Sequence, residues 1–393
     1  VLENESLQFR IIKEELLEMK AKYGDERRSE IIYASEEFNP EDFYADDDMV
    51  ITISRLGYIK RTPLSEYRCQ TRGGKGMKGS DVRSEDFLEH VFVASMHNYM
   101  LFFTEKGRCY WMRVFDIPEG TRQSKGRAIQ NVINIASDDK VMAYINVKDL
   151  KNEEYINNNY IVLCTKQGII KKTSLEAYSR PRQNGINAVT IREGDQLLEA
   201  KLTSGSAVIM MATREGKAIR FPEDKVRAMG RVSSGVRGVS LGSENDEVVG
   251  MICIEDPETD ILVVSEKGFG KRSKFEDYRE TNRGGKGVKT LQITDKTGPL
   301  IAIKDVTDAN DLMIINKSGI ILRTAVKDLR VVGRATQGVK LIDLRGKDAI
   351  ASVTRVEMEP EDENMAEAEG ENARAPEAGI EPTVPEATEN NNE

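Results

Sequence analysis

From residue 49 onward the chain alternates short apolar runs with polar turns in one recurring order. Four or five β-prone apolar residues lead to a polar pair, a glycine, and a short run ending in Lys or Arg. The pattern reads VITISRLGYIKR from Val50, MLFFTEKGRCYWMR from Met100, IVLCTKQGIIKK from Ile161, VIMMATREGKAIR from Val208, ILVVSEKGFGKR from Ile261 and LMIINKSGIILR from Leu312. Apolar runs of this length bounded by turn residues predict strands, and each copy predicts one β-hairpin. Gly57, Gly107, Gly168, Gly216, Gly268 and Gly319 sit where a tight hairpin needs positive φ. A second glycine follows each of them, 19 residues on for Gly76, Gly126, Gly235, Gly287 and Gly338 and 17 residues on for Gly185. Successive hairpin glycines are 50, 61, 48, 52 and 51 residues apart, the long interval holding a polar, Asn-rich insertion around Lys151–Asn159. A strand-rich period of this length predicts one four-stranded antiparallel blade per repeat. Six blades stacked radially into a closed or nearly closed disc would protect the edges that a single sheet leaves open. The expected class is all-β over residues 49–356.

The flanks follow other rules. Leu7, Phe9, Ile11, Ile12, Leu16, Leu17 and Met19 fall at helical spacing and Gly24 supplies a stop, which predicts one helix of about five turns within residues 1–32. A lone amphipathic helix is marginal in water, so its stripe is expected to meet a partner from elsewhere. Residues 33–48 close on Asp46-Asp47-Asp48 without periodicity and read as an acidic linker. Residues 357–393 combine Glu, Ala, Pro and Asn with few large apolar side chains, the composition of a disordered tail. The chain starts at Val1 rather than Met, and the expectation is a fragment with domains upstream.

Charge changes the picture once it is divided along the chain. The formal net charge is −9, yet residues 1–48 hold 15 acidic against 6 basic residues and residues 357–393 hold 13 acidic residues against Arg374 alone. The repeats keep 50 basic and 38 acidic residues, net +12. A basic body between acidic ends suits a polyanionic partner, and the tail either solubilises the chain or competes for the body as a DNA mimic. Four residues after the hairpin glycines stand Arg61, Lys172, Arg220, Arg272 and Arg323; the second blade has Trp111 there, with Arg113 close behind. Two residues after the second glycines stand Lys78, Arg237, Lys289 and Lys340. Equivalent positions on radial blades face equivalent directions, so the first row is expected to form a phosphate-binding band. The most distinctive loop is Gln70-Thr71-Arg72-Gly73-Gly74-Lys75-Gly76, whose glycines let backbone N–H groups approach a phosphate while Arg72 and Lys75 add charge. It returns on the fifth blade as Thr281-Asn282-Arg283-Gly284-Gly285-Lys286-Gly287. It lacks the spacing and the strand-to-helix context of a nucleotide P-loop.

Several classes are set aside. Cys69, Cys109, Cys164 and Cys253 are far apart with no C-x-x-C, and only His90 and His97 could join them, so no metal site is expected. No recurring His, Asp or Ser constellation suggests catalysis. No apolar run approaches the roughly 18 residues of a membrane span, and no signal-peptide pattern is present, so a cytoplasmic location is expected.

Gln70 to Gly76 resembles the Q-R-R-G-G-K-G box of the bacterial gyrase A family, with Thr71 in place of one arginine. Ile11-Ile12-Lys13-Glu14-Glu15-Leu16-Leu17 through Gly24-Asp25-Glu26-Arg27-Arg28 is similar to the last helix of that family's breakage-reunion domain. The resemblance implies a six-bladed β-pinwheel, whose neighbouring blades exchange strands and whose rim bends and wraps duplex DNA without sequence preference for negative supercoiling. It places the DNA-cleaving tyrosine upstream, and ATP hydrolysis with its magnesium on gyrase B, so this chain is expected to need no cofactor. The implied partners are duplex DNA, gyrase B and a second copy of gyrase A in an A2B2 heterotetramer. Rival expectations are the C-terminal domain of the topoisomerase IV counterpart of gyrase A and a protein-interaction propeller.

Overall fold

The computed structural model describes residues 5–25, 29, 40–64, 88–121, 124–318, 320–344 and 348–357. It forms two compact units, residues 1–43 and 44–393. The first holds the expected helix, Glu5–Tyr23, which ends where Gly24 N donates back to Lys20 O at 2.8 Å. Phe9, Ile12, Leu16, Leu17 and Met19 are exposed along it. Among the described residues no helix is long and apolar enough to cross a membrane.

The second unit holds the six hairpins. Their paired strands are Asp48–Ser54 with Tyr58–Pro63, Tyr99–Thr104 with Arg108–Arg113, Tyr160–Thr165 with Ile169–Ser174, Val208–Thr213 with Lys217–Pro222, Asp260–Ser265 with Phe269–Ser273 and Asn310–Asn316 with Ile321–Ala325. At the turns, Gly57, Gly107, Gly168, Gly216 and Gly268 have φ of 80°, 81°, 82°, 77° and 83°. Gly319 lies outside the described residues. An inner strand joins the first strand of each hairpin: Leu88–Ser95, Val141–Val147, Leu197–Thr203, Val248–Ile254, Leu300–Val306 and Ile350–Glu357. Inner strands of neighbouring blades pack together from the second blade to the sixth, and those of the sixth and first also meet. The ring therefore closes at its hub.

The fourth strand of each sheet comes from the next blade. Arg127–Ala128 pairs with Tyr58–Pro63, Ile186–Asn187 with Arg108–Arg113, Val236–Arg237 with Ile169–Ser174, Val288–Lys289 with Lys217–Pro222, and Val339–Lys340 with Phe269–Ser273. This is the strand exchange of a β-pinwheel. Five sheets have four strands, and the sixth shows three among the described residues. The exchange explains the second glycine: at Gly235 φ is +89°, and an added Cβ would lie 2.6 Å from Ile170 O of the preceding blade. An approach of 2.5 Å occurs at Gly126 to Ile59 O, at Gly287 to Ala218 O and at Gly338 to Gly270 O.

The apolar cores are layers between blades. Ile51 and Ile53 pack with Met100 and Phe102; Leu101 and Ile145 with Ile161 and Leu163; Val162 and Cys164 with Ile209 and Met211; Met210 and Ile252 with Ile261 and Val263; Leu262 and Val264 with Leu312 and Ile314. The sheets of the second to fifth blades are thus covered on both faces, which is why their strands carry continuous apolar runs rather than an alternation. The insertion after the second blade contains a short helix, Glu153–Asn158, capped where Asn152 Oδ1 accepts Tyr155 N at 3.0 Å. Residues 358–393 of the acidic tail lie outside the described residues, as do residues 33–39 of the linker.

Candidate nucleic acid interface

The row expected to form a phosphate band is placed largely between blades, and that expectation is corrected. Arg61, Lys172 and Arg272 are buried. Arg61 Nε donates to Ile117 O of the second blade at 2.7 Å, and its guanidinium pairs with Glu119 at 3.0 Å. Lys172 Nζ lies 2.8 Å from Glu223 Oε1 of the fourth blade and 4.1 Å from the centre of the Tyr160 ring. Arg220 donates to Phe275 O at 3.1 Å and Tyr278 O at 2.9 Å of the fifth blade, with its guanidinium 3.6 Å from the Phe275 ring centre. Arg272 reaches Val326 O of the sixth blade at 3.3 Å and is neutralised by Asp260 at 2.6 Å and Asp308 at 2.5 Å. Trp111, the apparent exception, fills the same role: its Nε1 donates to Tyr178 O of the third blade at 3.0 Å. The row is therefore a set of N–H donors that staple each blade to the next. Arg323 alone of the five is exposed, paired with Asp311 at 2.6 Å.

The physical reason is the covering of sheet faces by neighbouring blades. In a sheet with one wet face, charged residues near a strand end point to water. A face that a neighbouring blade covers is interior, so a cation there must find acceptors on the neighbour.

The excess positive charge lies in the segments that follow each hairpin in sequence, which from the second hairpin onward lead into an exchanged strand. Residues 64–78, 114–128, 175–187, 223–237, 274–289 and 326–340 together hold 22 basic and 10 acidic residues, net +12, so the whole excess of the repeats resides there. Arg237, Lys289 and Lys340 are exposed on the exchanged strands themselves. Arg180 and Arg182 of the third blade face Gly230, Arg231 and Val232 of the fourth across an open cleft of about 480 Å³. Arg237, Lys289 and Lys340 are the row that recurs two residues after the second glycines, whereas Arg180, Arg182 and Arg231 cluster just before Gly185 and Gly235, outside the pattern that periodicity brings out.

The first-blade loop, with Gln70, Arg72, Gly73, Gly74, Lys75, Gly76 and Lys78, lies outside the described residues. Its fifth-blade counterpart is described. Gly284 N donates to Gly238 O at 2.6 Å and Ser240 Oγ to Gly284 O at 2.7 Å, pinning the loop to the fourth blade. Arg283 is exposed while donating to Lys225 O at 2.9 Å and Arg237 O at 3.1 Å, and Lys286 is exposed with no partner among the described residues. Gly285 N and Lys286 N likewise meet no acceptor there. The loop thus offers N–H groups and two cations without a carboxylate against them, the chemistry of an anion contact.

The hub carries no comparable site among the described residues. Glu199 pairs with Lys201 at 3.0 Å and accepts Met251 N at 2.9 Å. Burial works against its carboxylate, but Lys201 and Lys304 hold it below the usual range. Burial pushes the Cys253 thiol well up, away from the reactive thiolate. Burial, with Lys304 and Lys201, lowers His90 to about 4. These groups neutralise one another rather than forming a nucleophile and base.

Six consecutive stretches, residues 48–95, 98–148, 159–204, 207–255, 259–306 and 310–357, match the family described as DNA gyrase C-terminal domain, beta-propeller. The chain is 41% identical over 365 residues to the DNA gyrase A protein of Staphylococcus aureus strain NCTC 8325, covering 92% of this chain and 41% of that relative's length. It therefore spans less than half of that relative. The crystal structure of the C-terminal domain of DNA topoisomerase IV superposes with TM-score 0.68 at 25% identity, over 84% of this chain and 99% of that one. The DNA gyrase A C-terminal domain superposes with TM-score 0.63 at 23% identity, over 79% and 99%, a likeness of fold. With six matched blades and a strand-exchanged ring, the chain belongs to the family of DNA gyrase C-terminal β-propeller domains.

Proposed function

We propose that the rim of this ring binds duplex DNA through its phosphates, without sequence preference, and bends it into a wrap that serves ATP-dependent negative supercoiling by a DNA gyrase. The observation that carries the reading is the confinement of the +12 excess to the six segments that follow the hairpins in sequence, five of which lead into described exchanged strands. Bending a duplex tightly costs several kcal/mol, so a wrapping surface must spread phosphate contacts along a curve. One basic segment per blade does that. Arg283 and Lys286 supply contacts on the fifth blade, and Arg72 and Lys75 with Gly73, Gly74 and Gly76 hold the DNA at the first. Strand cleavage, ATP hydrolysis and magnesium belong to the rest of an A2B2 assembly with gyrase B, in the cytoplasm, and this chain works without a cofactor.

A topoisomerase IV domain is the second reading, since that fold superposes at least as well. The intact R-G-G-K-G run at Arg72–Gly76 and the 41% identity to a gyrase A protein favour gyrase. The test is a gel shift on random-sequence duplex across KCl concentrations. The expected log–log slope is about −0.9 per phosphate neutralised, summing to a steep dependence. Affinity that hardly changes with salt would overturn the reading.

A further inference from the structure

One residue before the stapling row, the first, third and fifth blades carry Lys60, Lys171 and Lys271, each 1% exposed. The second, fourth and sixth blades carry Tyr110, Ile219 and Leu322 there. All three ammonium groups are bound by carbonyls of the next blade. Lys60 Nζ donates to Thr121 O at 3.0 Å and Ser124 O at 2.8 Å. Lys171 Nζ donates to Arg231 O, and to Ala188 O at 2.6 Å. Lys271 Nζ donates to Arg334 O, to Gly333 O at 2.8 Å and to Thr336 Oγ1 at 3.3 Å. Neither Lys171 nor Lys271 has a carboxylate in ion-pair contact among the described residues.

Apart from Ala188 O, the acceptors recur at one place in the basic segments: the turns Gly230–Ser233 and Gly333–Thr336 are each closed by a backbone bond of 3.2 Å, and Ser124 N donates to Thr121 O at 3.0 Å at the corresponding place of the second blade. In each, the hydroxyl of the fourth residue donates to the carbonyl of the first at 2.9 Å. A trans peptide holds its N–H opposite its C=O, and the described chain has no cis bond. Where Arg231 O, Gly333 O, Arg334 O and Ser124 O turn inward to an ammonium, the N–H groups of Val232, Arg334, Ala335 and Lys125 turn away from it. None of these four meets an acceptor among the described residues.

We propose that the turns Gly230–Ser233 and Gly333–Thr336 are preset binding sites for the anionic oxygens of the DNA backbone, on the fourth and sixth blades, and that Lys171 and Lys271 are the positioning residues that preset them. The inference rests on the DNA reading above. Burying an ammonium without a counter-ion is unfavourable, and burial with the neighbouring Arg231 or Arg334 lowers Lys171 and Lys271 to about 8. The arrangement gains outward N–H groups beside a guanidinium, with fixed positive charge behind them, the elements of an anion site. The path of the DNA then alternates between lysine-braced turns and the unbraced Arg-containing loops of the third and fifth blades.

The test is the salt slope of duplex binding by the 393-residue chain and its variants. Lys171→Met is expected to lower the slope by about 0.9, one phosphate, although its ammonium is buried. Arg231→Ala should lower it by the same amount, and the double variant should lose no more than either alone. A native circular dichroism spectrum with an unchanged slope in Lys171→Met would overturn the proposal, as would fully additive losses. If Lys171→Met fails to fold, Ser233→Ala, which removes only the hydroxyl clasp of the turn, must lower the slope, and an unchanged slope overturns the proposal. A parent chain with no salt-dependent binding would sink the DNA reading itself and this inference with it; a normal parent with an unaffected Lys171→Met sinks this inference alone.

Discussion

Replacing Lys172 with Met removes one half of an ion pair that the ring has buried between its third and fourth blades. Lys172 is 6% exposed and Glu223 0% exposed, with 2.8 Å between Nζ and Oε1. Breaking a buried pair costs about 3–5 kcal/mol, because the remaining charge is left without compensation. Glu223 would keep Thr203 Oγ1 at 2.8 Å and Ala207 N at 3.1 Å, so the lower end, about 3 kcal/mol, is expected. With a urea m-value of about 3 kcal/mol/M, the unfolding midpoint followed by circular dichroism should fall by about 1 M. Adding Glu223→Leu should restore part of the loss, since an apolar pair of similar volume relieves the orphaned carboxylate. The salt slope of DNA binding should not move. A variant with the parent midpoint and a slope reduced by about 0.9 would refute the stapling role and return Lys172 to the DNA path.

Gly235→Ala forces an L side chain into φ +89° and puts its Cβ 2.6 Å from Ile170 O, so it should cost at least ~2 kcal/mol and open the exchanged strand Val236–Arg237; unchanged hydrogen exchange of that strand would contradict the close-approach argument. His90 stays neutral in the fold down to about 4, whereas an unfolded chain takes the proton near 6.5. The unfolded state therefore binds more protons between these values, and stability should fall as pH drops from 6.5 to about 4. Urea midpoints across that window check this, and His90→Phe should flatten the profile. Replacing Arg237, Lys289 and Lys340 together with Ala should lower the salt slope by about 2 to 3 and leave the melting temperature unchanged.

The scaffold is legible in the sequence because it depends on glycine. Positive φ at Gly57, Gly107, Gly168, Gly216 and Gly268 marks the first five hairpins, and the spacing of the hairpin glycines along the sequence counts the blades. The second glycines are equally visible, but what they approach is not: Gly287 meets Ala218 O nearly seventy residues earlier, a contact that no local pattern encodes. The basic row misleads for a related reason. Lys171 and Lys172 point to opposite faces of one strand, and both are buried because neighbouring blades cover both faces. Trp111 is the clue. An indole in a row of cations shares with them only an N–H donor, and that donor is what the position uses. The rim turns Gly230–Ser233 and Gly333–Thr336 leave little trace in the sequence, because Ser233 and Thr336 act through side-chain bonds to carbonyls rather than through charge or periodicity.

The central claim is that the rim wraps DNA rather than merely holding it. A singly nicked plasmid saturated with the 393-residue chain, resealed by ligase and freed of protein, reports this directly on a topoisomer gel. The account predicts a linking-number shift of one sign that grows with the number of bound chains and shrinks sharply in Arg72→Ala/Lys75→Ala, while gel-shift affinity falls far less. A topoisomer distribution identical to that of naked DNA, at concentrations where every plasmid is bound, would contradict it.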